Sequence, residues 1–146
     1  MPGLRETVLE HLPRLQAISE ARAGHQPAPE VWSAKQIIGH LIDSGVNNHA
    51  RFVRAGAEDG LSLPGYDQDL WVAAGAYQER SWAGLLALWE AYQLQLAQVM
   101  ERLSPQQRSH TLTVGGGEPV TVQFLAEDYV RHQLHHLAQI PERVGP

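Results

Sequence analysis

The residues of this chain best equipped for chemistry are histidines. His132, His135 and His136 lie in a stretch from Thr121 to Ile140 that reads as one amphipathic helix. Placed at about 100° per residue, Leu125, Ala126, Tyr129, Val130, Leu134, Leu137 and Ile140 gather on one broad face. With His132 at zero, His136 falls at about +40°, on the edge of that face, and His135 at about −60°, toward solvent. His132 and His136 are therefore one helical turn apart, where two imidazoles can converge on a single cation. Asp128 and Gln139 continue the same strip by a turn at either end, positioned to orient the two rings. Such a pair reads equally well as two packed, hydrogen-bonded histidines, so a metal site needs a third ligand.

His40 is the candidate. The stretch WSAKQIIGHLIDSGVNNHARFVRAG predicts a helix whose start is marked by Ser33 and Gln36 in a capping-box pattern and whose end is marked by Gly56. Ala34, Ile37, Ile38, Leu41, Ile42, Phe52 and Val53 form its buried arc, and His40 lies at the margin of that arc. Beside it runs a polar strip of Gln36, Asp43, Ser44, Asn47 and Arg51, while His49 falls on the opposite side as a packed or interface histidine. If this helix neighbours the one carrying His132 and His136, three neutral imidazoles meet and leave at least one coordination position open, a catalytic rather than a closed pattern. Imidazole-only ligation suits a divalent metal, Zn first, with Ni or Fe(II) as alternatives. Asp43 and Asp128 are candidate proton acceptors or orienters, and Arg51 a candidate for holding an anionic group. Each of these three also reads as an ordinary structural residue. A zincin motif is excluded, because its carboxylate position is Gln133.

Other segments complete the frame. Leu4, Val8, Leu12, Leu15 and Ile18 predict a first helix over 4–21, with Pro13 expected to kink it or delay its start. Trp82, Leu85, Leu86, Trp89, Tyr92, Leu96, Val99, Met100 and Leu103 predict another over 81–103, its aromatic stripe a core feature. Between the second and third helices lies a connection of roughly twenty residues containing LPGYDQDLW, long enough to cover a site. Asp67 within it can cap a short helix. HTLTVGGGEPVTV predicts a hairpin near 110–122, leading into a helix over 121–140. The result is an all-α, antiparallel four-helix bundle in a single domain over 1–146.

Composition narrows the function classes. A net charge of −5 and no Lys/Arg cluster argue against nucleic acid and anionic membranes as partners, leaving a small-molecule substrate. The chain has no cysteine, so any thiol in its chemistry must arrive with a ligand. No long apolar run or leader pattern occurs, which gives a cytoplasmic protein as the expectation.

Taken together, WSxxxxxxHLIDS at 32–44, PGYDxDxW at 64–71 and HxxHHLAQI at 132–140 resemble the DinB/YfiT-like metalloenzymes over nearly the whole chain. The resemblance implies a DinB-like four-helix bundle, often a homodimer, with a divalent metal held by His40, His132 and His136. It further implies either transfer or isomerisation with a low-molecular-weight thiol such as bacillithiol, mycothiol or glutathione, or hydrolysis. One departure is Pro141, directly after Gln139 and Ile140, expected to truncate the last helix early. Beside the enzyme stand two other readings: a metal-binding stress protein without turnover, and a bundle whose histidines are merely packed.

Overall fold

Side-chain caps set where the helices begin. In the computed structural model, which describes residues 2–146, Ser33 accepts from the Gln36 backbone N–H at 3.2 Å and Gln36 returns the bond to the Ser33 N–H at 2.9 Å. This capping box opens a 24-residue helix, and Ser81 and Thr121 cap the next two long helices one way only, each accepting from a backbone N–H. The bundle consists of α1 (Leu4–Gln16), α3 (Ala34–Ala57), α5 (Trp82–Glu101) and α7 (Val122–Arg143). Short helices α2 (Glu20–Ala23), α4 (Gln68–Gly75) and α6 (Pro105–Ser109) lie in the connections. No helix is long and apolar enough to cross a membrane among the described residues.

α3 packs on both α5 and α7, and α1 packs on the same two, so α1 and α3 sit diagonally across the bundle. The core between them holds Ile37, Ile38, Leu41, Phe52, Leu85, Trp89 and Leu96, all fully buried. Each such side chain contributes roughly 1.5–3 kcal/mol by leaving water. Val53, expected in the buried arc, is instead 53% exposed, because that edge of α3 lies outside its contacts with α5 and α7.

Both prolines behave differently from expectation. α1 starts at Leu4 and runs through Pro13 without interruption, then ends at Gln16 rather than 21. The following residues form a separate turn, capped by Ser19 accepting from Arg22 at 3.3 Å. α7 likewise runs through Pro141 to Arg143. Pro141 is exposed and lies in the final turn, so its ring has room and only one backbone bond is lost. Arg143 then ties the helix end to the Trp32 carbonyl at 2.9 Å.

The expected hairpin exists as β2 (Thr111–Val114) antiparallel to β3 (Val120–Thr121). Gly115 and Gly116 turn it with φ of 59° and 75°, a region that favours glycine. A further strand, β1 (Leu61–Leu63), adds in parallel to β2 and was not legible in three residues of sequence. It starts the long connection after α3, which continues through α4 and a 3₁₀ turn at Tyr77–Glu79 and lies against α3. Gly39 permits that closeness: a Cβ there would sit 2.0 Å from the Tyr77 ring.

Candidate metal centre

Where α3 meets α7, three imidazoles converge. His40, His132 and His136 each offer a ring nitrogen, and these nitrogens lie within 4.8 Å of one another. Ring centroids are 4.5–5.0 Å apart and the ring planes are steeply inclined to one another, at 72–76°. His40 Nε2 and His132 Nε2 are 3.2 Å apart. Two nitrogens bound tetrahedrally at the usual zinc distance are about 3.3 Å apart. The donor set therefore fits a divalent cation.

The His136 tautomer agrees with that fit. His136 Nδ1 donates to Gln139 Oε1 at 3.0 Å, which leaves its Nε2 lone pair free, and Gln139 is the orienting residue expected from the helical strip. Burial, with the neighbouring imidazoles second, drives the His40 pKa down to about 3; the same causes bring His132 to about 4. Burial also lowers His136, opposed by its bond to Gln139. All three rings are neutral near pH 7, the form that binds metal. Trp32 covers the cluster, its ring centroid 5.0 Å from His40 and 6.5 Å from His136. His135 is exposed and lies outside the group, as its angle predicts. His49 bonds Tyr92 Oη at 2.8 Å and bridges α3 to α5.

The three other candidates scatter around this centre. Asp43 is buried, and its carboxylate accepts from the Tyr77 hydroxyl while its second oxygen has no partner among the described residues. Burial pushes its pKa up, against the Tyr77 hydrogen bond. Asp128 is exposed and pairs with Arg131 at 3.5 Å; it makes no bond to His132 but its charge favours the protonated ring. Arg51 and Asp128 share with His132 a cleft of about 200 Å³ between α3 and α7, whereas Asp43 faces a separate depression beside Trp71 and Tyr77. Larger hollows lie elsewhere, including one of about 700 Å³ against the start of α1, but none of them contains a histidine of the cluster.

Sequence reasoning missed Trp32 as a cover and Tyr66 as a wall of the cleft, although both fall within the quoted motifs. It also missed the buried amides Gln93 and Gln133, which polar residue type concealed on otherwise apolar faces.

A family model of the DinB superfamily matches residues 4–140. The chain belongs to this superfamily. It is 27% identical over 112 residues to the "Putative metal-dependent hydrolase YfiT" of Bacillus subtilis, covering 76% of this chain and 63% of the relative. A protein of the same description from Oceanobacillus iheyensis is 29% identical, with 75% of this DinB-superfamily chain and 63% of that one covered. The chain thus spans less than two thirds of the length of these relatives. Among solved structures, that of YfiT from Bacillus subtilis, described as having an unusual four-helix bundle topology, superposes with a TM-score of 0.82 at 23% identity, over 95% of this chain and 81% of that one. A mycothiol-dependent maleylpyruvate isomerase superposes with a TM-score of 0.73 at 19% identity, over 94% and 57%. These likenesses establish a DinB-type four-helix bundle.

Proposed function

We propose that this protein is a divalent-metal-dependent enzyme acting on a small molecule, either by hydrolysis or by transfer from a low-molecular-weight thiol. The observation that carries the reading is the convergence of three neutral imidazoles from two helices beside a cleft. His40, His132 and His136 would hold the metal. A divalent cation held there would supply Lewis acidity, lowering the pKa of a water or thiol toward neutrality so that no strong base would be needed. Gln139 fixes the His136 ring, and Trp32 excludes water from one side of His40. Asp128, at the cleft mouth, is the proposed proton acceptor. Asp43 would act from behind, through Tyr77 and the connection.

The relatives described as metal-dependent hydrolases and the fold neighbour described as mycothiol-dependent support both branches. A metal-binding protein without turnover is the alternative, and a cleft open beside His132 favours the enzyme over it. The test is a screen of metal-loaded protein against electrophiles with bacillithiol, mycothiol, glutathione or water as nucleophile. Turnover that disappears on chelation and in His132→Ala, and returns on adding metal, is the expected result. Turnover indifferent to chelation would refute the metal-dependent reading.

A second copy of the chain is the proposed macromolecular partner. Val46, Val53 and Leu88 are 40%, 53% and 39% exposed on α3 and α5, beside the His49–Tyr92 contact. Light scattering should give about twice the 16.2 kDa chain mass, and a mass of one chain at high micromolar concentration would contradict it.

A further inference from the structure

The cleft beside His132 contains a guanidinium, that of Arg51, with no carboxylate partner among the described residues. Arg51 Nη1 donates to Asn48 Oδ1 at 3.3 Å and Nη2 to the Pro64 carbonyl at 3.2 Å. Both are long for bonds from a charged donor, and a guanidinium has five N–H groups, so its best directions are unused. Among the described residues Arg51 forms no ion pair with a carboxylate. It is nonetheless half-buried, held with its guanidinium carbon 5.9 Å from the centre of the Tyr66 ring. Desolvation there lowers its pKa, the mark of a charge kept in an environment that does not neutralise it.

The other polar groups of the lining are satisfied among themselves or by solvent. Ser44 is buried, its oxygen accepts from Asn48 Nδ2 at 3.3 Å, and its hydroxyl is engaged with the Tyr66 hydroxyl. Asp128 is the one carboxylate lining the cleft; it is solvent-exposed and paired with Arg131. Along α3, His40, Ser44, Asn48 and Arg51 follow one another at helical spacing, so a polar strip joins the metal ligand to the guanidinium. Along the helix axis Asn48, whose Oδ1 meets the Arg51 guanidinium, lies about 12 Å from His40, with Ser44 halfway between. A ligand held by both ends must therefore be elongated. The volume, about 200 Å³, is below the roughly 300–1,000 Å³ that hold drug-sized molecules, so it must also be small.

We infer that the cleft between α3 and α7 is the substrate pocket and takes a small, elongated carboxylate, bound through Arg51 with its reacting carbon several bonds away at the histidine cluster. The planar fork of Arg51 matches a carboxylate through two parallel bonds. This inference rests on the proposed enzymatic reading, because that reading places the reacting end.

Calorimetry with hexanoate, hexanamide and inorganic phosphate on metal-loaded protein tests it. Hexanoate should bind the wild type, and both removing the probe's charge in hexanamide and removing the protein's charge in Arg51→Met should weaken binding about tenfold or more. Arg51→Lys should fall between. Hexanamide binding as tightly as hexanoate would overturn the inference on the wild type alone, even if Arg51→Met failed to fold. So would hexanoate binding equally to Arg51→Met, phosphate binding in preference to hexanoate, or no binding of hexanoate. His132→Ala separates this inference from the metal reading: hexanoate binding that survives there, with metal lost, supports both. Should the wild type hold no metal yet bind hexanoate through Arg51, the metal reading alone fails.

Discussion

The two seams that α3 makes with its neighbours are built differently. Against α5 it buries an apolar surface with Leu85, Trp89 and Leu96, and the buried polar group on that seam is fully served. Gln93 donates to the Leu41 carbonyl at 3.2 Å and accepts from the Tyr129 hydroxyl at 2.5 Å. Against α7 the same helix presents His40, whose Nδ1 is a buried side-chain atom without a partner among the described residues. Of the two others, Asp43 Oδ2 belongs to the group that meets Tyr77 in the connection, and Gln133 Nε2 to the amide that accepts from Trp89 of α5. An unpaired buried polar atom costs about 1–3 kcal/mol. One seam is thus mainly apolar packing, whereas the other places an unpartnered imidazole nitrogen in the interior, at a cost to the fold.

Substitutions on the two seams should separate these roles. The largest effect on folding belongs to Trp89→Ala, which leaves a cavity in the apolar seam and should destabilise the protein by about 3–5 kcal/mol in a denaturant melt, with or without metal. Loss of metal binding with no comparable unfolding in that variant would blur the distinction between seams.

Next comes metal linkage. Excess zinc should raise the Tm of the wild type, by about 2.7 kcal/mol of stabilisation at a hundredfold excess over Kd, and leave His40→Ala unmoved. Equal shifts in both proteins would assign the metal elsewhere.

The smallest effect concerns Asp43. Its pKa is raised in the fold by burial, so its contribution is favourable below the unfolded carboxyl pKa and is lost as pH rises through the folded value. At neutral pH the ionised group therefore destabilises the protein. Asp43→Asn should raise the Tm at pH 7 by on the order of 2 °C, with the gain vanishing toward pH 3. A variant less stable than wild type at pH 7 would mean that the Tyr77 hydrogen bond, and not burial, governs this group.

Much of this was legible in the sequence, for identifiable reasons. Angular position alone separates His132 and His136 from His135, because a helix fixes direction to within tens of degrees, and the capping box and the Thr121 cap are local hydrogen bonds. The seam partner of His40 required knowing that α3 neighbours α7, which periodicity cannot give. Pro141 misled because its effect depends on how many turns follow it, and Arg143 anchors the short remainder to Trp32. Three-residue β1 carries too little pattern to be read, and its existence depends on β2 lying alongside. Trp32 and Tyr66 lie in loops, where no period points a side chain anywhere.

The central claim is that His40 on α3 and His132 and His136 on α7 hold one divalent metal, and metal content measures it most directly. Protein purified without an affinity tag and equilibrated with zinc, then analysed by elemental mass spectrometry, should carry about one equivalent per chain in the wild type and in His135→Ala. His40→Ala, His132→Ala and His136→Ala should each retain less than about a tenth of that while remaining folded. A full equivalent in folded His40→Ala would contradict the account, because the ion would then sit on α7 without the helix that the seam brings to it.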